Sequence, residues 1–247
     1  MSKEKQISWE INDGVMLITV DNPEMKNGLN WVGIEQLAQC YETMASDKNI
    51  RVAVITGNDD YFYTGGRVDA SVPGEKERYA DAIERLNTLR ENNTVPMIAA
   101  VSGDCLKAGM GMLESCDFAV AREGVEFGFP EVRMGGVPMM VMMETFGTMP
   151  TKRALEAYLT SWNFSAEDAY MMGLVNRVVP KEEFWPTVDK FVHVFLDTPV
   201  SLLEMTRRAF KKMGELHTKA ERTELAMSML RSDVLTYMAS NKTEYNI

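Results

Sequence analysis

Cysteine, histidine and long apolar runs are all scarce in this sequence. Its 247 residues include three cysteines and two histidines, and no stretch approaches the roughly 20 apolar residues of a membrane-spanning helix. The polar start Met1–Glu10 lacks the apolar run of a signal peptide. The cysteines are too far apart for a zinc or redox motif, which indicates free, buried thiols in a reducing compartment. We therefore expect a cytoplasmic protein with no metal site and no membrane contact.

Positive charge is also in short supply. Lysine and arginine number 26 against 36 acidic residues, giving a formal net charge of −10. With no local basic patch to overcome that repulsion, the sequence argues against a nucleic-acid partner. Hydrophobic residues make up 45% and charged residues 25%, which is the balance of an ordinary globular protein. No segment rich in Pro, Gly or Ser divides the chain, so we expect one domain.

Short apolar runs alternate with helical patterns along the first two thirds of the chain. Runs typical of buried strands occur at Val15–Val20, Arg51–Thr56, Met97–Val101 and Asp117–Ala121. Apolar residues at helical spacing predict helices at Trp31–Ala45, Glu77–Glu91, Ala108–Ser115, Pro138–Phe146, Thr151–Thr160, Ala166–Met171, Glu182–Leu196, Ser201–Met213 and Ala220–Ser240. This alternation predicts an α/β fold with a parallel sheet. The helical C-terminus must cover a further surface, either that sheet or a neighbouring subunit.

Three segments carry candidate chemistry: Tyr61–Asp69, Gly103–Gly111 and Phe127–Glu131. The first two are glycine loops that follow predicted strands, where open α/β sheets bind ligands. Glycine permits close backbone approach, and N–H groups at the start of a helix are unsatisfied, so two such groups can form an oxyanion hole. Tight turns without a ligand would explain either loop taken alone. The second loop is neither a P-loop nor a Rossmann fingerprint.

The order of these motifs resembles the crotonase, or enoyl-CoA hydratase/isomerase, superfamily over nearly the whole chain. The matching motifs are Asn22-Pro23…Lys26-Asn27, Phe62…Gly65-Gly66, Ile98–Gly103, Cys116-Asp117, Phe127-Gly128…Pro130-Glu131 and Met172–Val179. The resemblance implies a spiral of ββα units with a helical C-terminal trimerisation region. It also implies a core domain over residues 1–190, an oligomerisation region over residues 191–247, and a homotrimer or a dimer of trimers.

The resemblance also implies a set of site residues. The backbone N–H groups of Gly66 and Ala108 would form the oxyanion hole, with Gly65 and Gly109 shaping its turns, and Glu131 would be the catalytic carboxylate. The substrate would be an acyl-CoA thioester, with coenzyme A as part of the substrate and no separate cofactor. Taken alone, Glu131 would by default be interpreted as a carboxylate at the start of a helix that interacts with the helix macrodipole, but the ordered set of motifs favours catalysis.

Three positions depart from the family's pattern. Gly111 replaces the second glutamate of typical hydratases, and Glu114, one helical turn further on, should point elsewhere. Arg67 replaces a common aspartate, and it could bind a substrate carboxylate or simply pair with Asp69. Met139 belongs to a methionine-rich stretch that replaces the usual glycines. That stretch suggests an altered acyl pocket, although core packing would also explain it.

These observations favour an enoyl-CoA isomerase that moves a proton with Glu131. A hydratase, a hydratase-lyase or a decarboxylase on the same scaffold is the alternative. A rival from another class is a catalytically weak CoA-ester-binding or assembly protein. Replacing Glu131 by Gln separates these hypotheses, since an enzyme should lose turnover and keep its affinity for the CoA ester. His193 and His217 lie outside the three segments, which argues against a histidine base or metal ligand.

Overall fold

Two sheets and the helices between them form the first of two compact units in the computed structural model, which describes residues 5–241. The units are Met1–Leu196 and Asp197–Ile247. The strands are β1 (Ile7–Asn12), β2 (Val15–Val20), β3 (Val52–Thr56), β4 (Tyr61–Tyr63), β5 (Met97–Val101), β6 (Asp104–Leu106), β7 (Phe118–Arg122), β8 (Glu126–Gly128), β9 (Phe164–Ser165) and β10 (Arg177–Val179).

The larger sheet has the strand order β1-β2-β3-β5-β7-β10. Strand β1 pairs antiparallel with β2, and every later neighbour in this sheet is parallel. Every residue of β3 and β5 is buried, because a parallel sheet is covered on both faces. This sheet is the centre of the hydrophobic core.

The smaller sheet has the order β4-β6-β8-β9. Strands β4, β6 and β8 are parallel neighbours, and β9 joins β8 antiparallel. Each strand is only two or three residues long. Such short strands give no readable alternation, so this whole sheet was missing from the sequence-based prediction.

The helices are α1 (Trp31–Ser46), α2 (Glu75–Glu91), α3 (Ala108–Glu114), α4 (Met139–Thr145), α5 (Thr151–Thr160), α6 (Ala166–Met172), α7 (Lys181–Asp197), α8 (Val200–Gly214), α9 (Lys219–Met229) and α10 (Leu235–Ser240). Along the chain, β3-β4-α2, β5-β6-α3 and β7-β8-α4 repeat one pattern, and each repeat gives one strand to each sheet. The predicted α/β spiral of ββα units is thereby confirmed. None of the helices between residues 5 and 241 combines the length and apolar character that a bilayer crossing requires.

The second unit consists of helices α8, α9 and α10. The predicted single helix Ala220–Ser240 contains a five-residue π-helical segment, Leu230–Val234, between α9 and α10. Thr218 begins α9 with a capping box that it shares with Glu221. The predicted division after residue 190 falls inside α7 and stays a prediction.

Candidate active site

The three predicted site groups meet at one edge of the smaller sheet. Gly66 follows the end of β4, Ala108 begins α3 just after β6, and Glu131 follows β8. Since β4, β6 and β8 are adjacent and parallel, their carboxyl ends point the same way. The edge beyond the carboxyl ends of parallel strands is where such sheets bind ligands.

The two glycine loops lie against each other so closely that they tolerate no side chain at two positions. A β-carbon at Gly65 would lie 2.6 Å from Cβ of Lys107 and 3.3 Å from the nitrogen of Ala108. A β-carbon at Gly109 would lie 2.0 Å from the carbonyl oxygen of Tyr63. Gly65 also has a φ of +91°, which glycine adopts at little cost. Both glycines are therefore required for the close approach of the loops.

The backbone N–H groups of Gly66 and Ala108 are available to a ligand. Within residues 5–241 neither group has a hydrogen-bond acceptor. Lys107, which precedes α3, provides no side-chain cap for the helix, so the first N–H groups of α3 remain open. Two donors on touching loops can hold one negatively charged oxygen, which is the requirement for an oxyanion hole.

The segment Lys26–Leu29 holds the Gly66 loop in place. The Thr64 hydroxyl donates to the carbonyl of Lys26 at 2.6 Å. The N–H of Leu29 donates to the Gly65 carbonyl at 3.0 Å, and the N–H of Arg67 donates to the Leu29 carbonyl at 2.8 Å. These hydrogen bonds on both sides of Gly66 fix the direction of its peptide groups. They give a structural reason for the motif that precedes α1.

Glu131 has a fixed backbone and one carboxylate oxygen without a hydrogen-bond partner among the described residues. Its carbonyl accepts hydrogen bonds from the N–H groups of Met134 at 3.0 Å and Gly136 at 2.8 Å. Its Oε2 atom is buried and has no hydrogen-bond partner in the described part of the chain. Burial raises the pKa of this carboxyl group, while its own N–H and the charge of Lys107 oppose the rise. A carboxylate whose pKa is raised by burial holds a proton more readily than an exposed one, which suits a group that must both take up and return a proton.

Lys107, in the second oxyanion loop, has a strained backbone conformation and a side chain whose charge acts on Glu131. Its φ and ψ are 54° and −125°, a combination that costs a non-glycine residue free energy and that clusters at functional sites. Burial lowers the pKa of its ammonium group, the charge of Arg67 lowers it further, and Glu131 raises it. Lys107 is thus the cation that acts most directly on Glu131.

Arg67 faces the segment before α1. Its Nη2 atom donates to the Met25 carbonyl and to the Thr64 hydroxyl, both at 3.1 Å, and Nη1 donates to the Gly66 carbonyl at 3.3 Å. Asp69 accepts instead from the N–H and hydroxyl of Ser71. Arg67 therefore braces the oxyanion loop, and a contact with the substrate stays a prediction.

Gly111 is buried on α3, and a glutamate from another helix lies beside it. A β-carbon at Gly111 would lie 3.6 Å from Cγ of Glu144, which belongs to α4. Arg90 donates to the Gly111 carbonyl at 2.9 Å and pairs with the Glu144 carboxylate at 3.5 Å. Sequence patterns could not identify Glu144 as a neighbour of Gly111, because the two residues are distant along the chain.

The carboxylate of Glu114, one helical turn after Gly111, is engaged in a hydrogen bond. It accepts this hydrogen bond from the Thr148 hydroxyl at 2.7 Å. Burial raises the pKa of this carboxyl group, Thr148 lowers it, and the nearby charge of Glu144 raises it. Glu114 on α3 and Glu144 on α4 are therefore neighbouring acidic groups.

The methionine-rich stretch lies on the surface of the isolated chain. Met139 is 64% exposed, and Met140 and Met143 on the same helix are also more than half exposed. Core packing is therefore the wrong interpretation for these three side chains. Whether Met139 contacts an acyl group stays a prediction. Among residues 5–241, no cluster of His, Cys, Asp and Glu could hold a metal ion.

Comparison with known proteins identifies the family of this chain. The family model described as enoyl-CoA hydratase/isomerase matches residues 10–242. The enoyl-CoA hydratase domain-containing protein 3 of Xenopus laevis, named as mitochondrial, is 29% identical over 84% of this chain and 72% of the relative. The 2,3-dehydroadipyl-CoA hydratase of Escherichia coli is 33% identical over 68% of this chain and 67% of the relative.

Solved structures show the same fold. The crystal structure of human enoyl-CoA hydratase domain-containing protein 3 superposes with a TM-score of 0.86 at 22% identity, covering 95% of this chain and 92% of the human chain. The resemblance drawn from the sequence motifs is confirmed. This chain belongs to the enoyl-CoA hydratase/isomerase family, within the crotonase superfamily.

Proposed function

We propose that this protein is an enoyl-CoA isomerase in which Glu131 moves a proton and the N–H groups of Gly66 and Ala108 hold the thioester oxygen. The observation that carries this proposal is the buried, unpartnered Oε2 of Glu131, at the sheet edge where both N–H groups are free among the described residues. A carboxylate base and an oxyanion hole are the two parts that proton abstraction next to a thioester requires.

The reaction begins with a 3-enoyl-CoA thioester whose carbonyl oxygen accepts hydrogen bonds from both N–H groups. The Glu131 carboxylate removes a proton from C2, and the electron pair of that C–H bond moves into the carbonyl to give a dienolate. Glu131 then returns the proton to C4, so the double bond shifts from C3–C4 to C2–C3. No water is consumed, and the carboxylate is regenerated.

In this proposal coenzyme A is part of the substrate, and the chemistry requires no further cofactor. The negative charge of the dienolate resides largely on the thioester oxygen, where the two donors stabilise it. A lost donor of this kind typically costs a factor of about 10²–10³ in rate. The oxyanion hole should therefore contribute as much to catalysis as the base.

A hydratase is the second candidate, and Glu144 is the observation that favours it. Its side chain lies 3.6 Å from the position where a β-carbon of residue 111 would be, the position at which typical hydratases of the family carry their second glutamate. Glu144 of α4 would then supply the acid that is missing at position 111 of α3. The E. coli relative is named a hydratase. Hydration would need Glu131 and Glu144 to act together on one water molecule.

The test is a mass-spectrometric assay in deuterated water with 2-enoyl-, 3-enoyl-, cinnamoyl- and dicarboxyl-CoA thioesters. An isomerase gives a product with a moved double bond, incorporated deuterium and no added water. Added water that disappears in both the Glu131→Gln and Glu144→Gln variants would establish the hydratase instead. Chain cleavage or loss of carbon dioxide would indicate a lyase or a decarboxylase. Binding without turnover of any thioester would support a binding or assembly protein.

We also propose that the chain forms a homotrimer or a dimer of trimers. Large apolar side chains are exposed on the isolated chain, including Phe146 and Phe210, each 82% exposed. Apolar surface of this kind typically marks an interface between subunits. Native mass spectrometry should show three or six copies, and a monomer at micromolar concentration would contradict the proposal.

The cytoplasm is the location that we propose. Its support is the presence of three cysteines, all free, which is the usual state in a reducing compartment. The Xenopus relative is named a mitochondrial protein, so microscopy of the tagged full-length protein is the test. Signal confined to an organelle would contradict the proposal.

A further inference from the structure

Tyr79 reaches from helix α2 to the oxyanion loop. Tyr79, Ala82 and Leu86 share one helical face by their spacing, and Ala82 and Leu86 are buried. The Tyr79 ring packs against the hydrophobic core. Helix α2 is held against α1 by Arg85, whose guanidinium pairs with Glu42 at 2.6 Å. The tyrosine therefore sits on a helix that is anchored at its inner face.

The hydroxyl of Tyr79 lies next to Gly66. A β-carbon at Gly66 would be only 2.0 Å from the Tyr79 hydroxyl oxygen, so this position accepts glycine alone while the tyrosine keeps its place. With standard backbone dimensions, the hydroxyl oxygen is then no more than about 4.5 Å from the Gly66 nitrogen. One oxygen atom can accept hydrogen bonds from two donors that are this far apart.

The hydroxyl group is also unengaged and protonated. Within residues 5–241 it has no hydrogen-bond partner. Burial raises the pKa of Tyr79 to about 12, and the charge of Arg67 opposes the rise. The hydroxyl group therefore stays protonated, and a hydrogen-bond donor, at neutral pH.

We propose that Tyr79 is a catalytic residue, whose hydroxyl donates a third hydrogen bond to the thioester oxygen held by Gly66 and Ala108. The inference rests on the function proposed above, and it adds a side-chain donor to a hole otherwise made of backbone. The bond strengthens as negative charge develops on that oxygen, since hydrogen bonds to charged acceptors are the stronger ones. Its loss should slow the reaction more than it weakens substrate binding.

The test compares Tyr79→Phe with Tyr170→Phe. Tyr170 lies on α6 and is exposed, which makes it a matched loss of one hydroxyl outside the candidate site. Tyr79→Phe should lower kcat about 10- to 100-fold and leave KM and the melting temperature nearly unchanged. Tyr170→Phe should change none of these quantities. Equal kcat in Tyr79→Phe and the wild type would overturn the proposal.

A spectroscopic measurement tests the role of Tyr79 separately from the proposed activity on CoA thioesters. Crotonyl-CoA labelled with ¹³C at its carbonyl is bound to the Glu131→Gln variant, in which turnover should be slow, and its infrared carbonyl band is recorded. The band should move to lower frequency on binding, and by less when Tyr79→Phe is added. The same shift with and without Tyr79→Phe would overturn the role of Tyr79 and leave the proposed function standing. Failure of the wild-type protein to bind any CoA thioester would overturn both proposals.

Discussion

The two sheets of the first unit differ in strand length, in burial and in what they hold. The larger sheet is built from strands of up to six residues, and its central strands β3 and β5 are buried along their whole length. The smaller sheet is built from two- and three-residue strands, yet Gly66, Ala108 and Glu131 each follow one of them. The comparison indicates that the larger sheet provides stability and the smaller sheet provides chemistry.

This division has a physical reason. Each apolar side chain of a long buried strand that leaves water stabilises the folded state. A short strand buries few such side chains and adds little stability, but it fixes the direction of the loop at its end. Packing of the loop on its neighbours then completes the geometry, as Gly109 does against Tyr63. Substitutions in the larger sheet should therefore mainly lower the stability of the fold. Substitutions in the loops that follow the strands of the smaller sheet should mainly lower the reaction rate.

The largest effect on rate is expected for Glu131→Gln. The amide keeps the shape of the side chain and cannot accept the proton, so kcat should fall about 10²- to 10⁴-fold. Affinity for the CoA ester, measured by calorimetry, should stay within a few fold. Glu123→Gln, on the exposed turn after β7, is the control and should behave as the wild type. Wild-type turnover in Glu131→Gln would exclude the proposed base.

The next largest effect is expected for Gly109→Ala. The new β-carbon would lie 2.0 Å from the Tyr63 carbonyl, so the start of α3 must move and carry the Ala108 N–H with it. Loss of that donor should lower kcat about 10²- to 10³-fold. Gly214→Ala is the control, because no atom lies within 4 Å of its β-carbon position. Equal turnover in both variants would contradict the assignment of the hole.

A smaller effect is expected on the pH profile. A base must be deprotonated to act, and burial raises the pKa of Glu131, so kcat/KM should fall on the acid side at a pH above the usual glutamate value of about 4.3. Lys107→Met removes the cation that lowers this pKa, and the acid limb should move to higher pH. An acid limb that does not respond to Lys107→Met would show that another group titrates.

The same raised pKa predicts how stability depends on pH. The folded state binds the proton of Glu131 more tightly than the unfolded state, so the contribution of this group is present at low pH and is lost as pH rises through the folded pKa. The melting temperature of Glu131→Gln should therefore exceed that of the wild type increasingly as pH rises from 4 toward 7. A difference in melting temperature that narrows over this pH range would contradict the claim that the Glu131 carboxylate is buried and charged.

The smallest effect on rate, with a large effect on stability, is expected for Ile55→Ala in β3. Ile55 is fully buried in the larger sheet, and the cavity should cost about 2–5 kcal/mol in the free energy of unfolding. Below its melting temperature the variant should keep the wild-type kcat. Denaturant titration with parallel assays measures both quantities. A matching loss of kcat would break the distinction between the two sheets.

The sequence predicted the larger sheet better than the smaller one. Strands β2, β3, β5 and β7 were recognised because their apolar runs are long enough to read, although β1 and β10 were missed. Strands β4, β6 and β8 were also missed, yet the loops that follow them were located by their glycines and by the resemblance to the family. Close packing of distant segments leaves no local pattern in a sequence.

Tyr79 and Glu144 show what the sequence could not predict. Each lies on a helix that the sequence did predict, but nothing in the spacing of α2 or α4 indicates that their side chains reach Gly66 and Gly111. Their positions depend on how α2 packs against α1 and how α4 packs against α3. Only the folded structure brings these residues to the candidate site.

The most direct test of the central claim is hydrogen exchange at C2 of a saturated acyl-CoA in deuterated water. The substrate is the saturated analogue of whichever thioester the protein turns over fastest, because it can lose a proton but can be neither isomerised nor hydrated. The wild-type protein should exchange this proton far faster than buffer, and Glu131→Gln should not. Exchange at the buffer rate in the wild type, or at the wild-type rate in Glu131→Gln, would contradict proton transfer by Glu131 at this site.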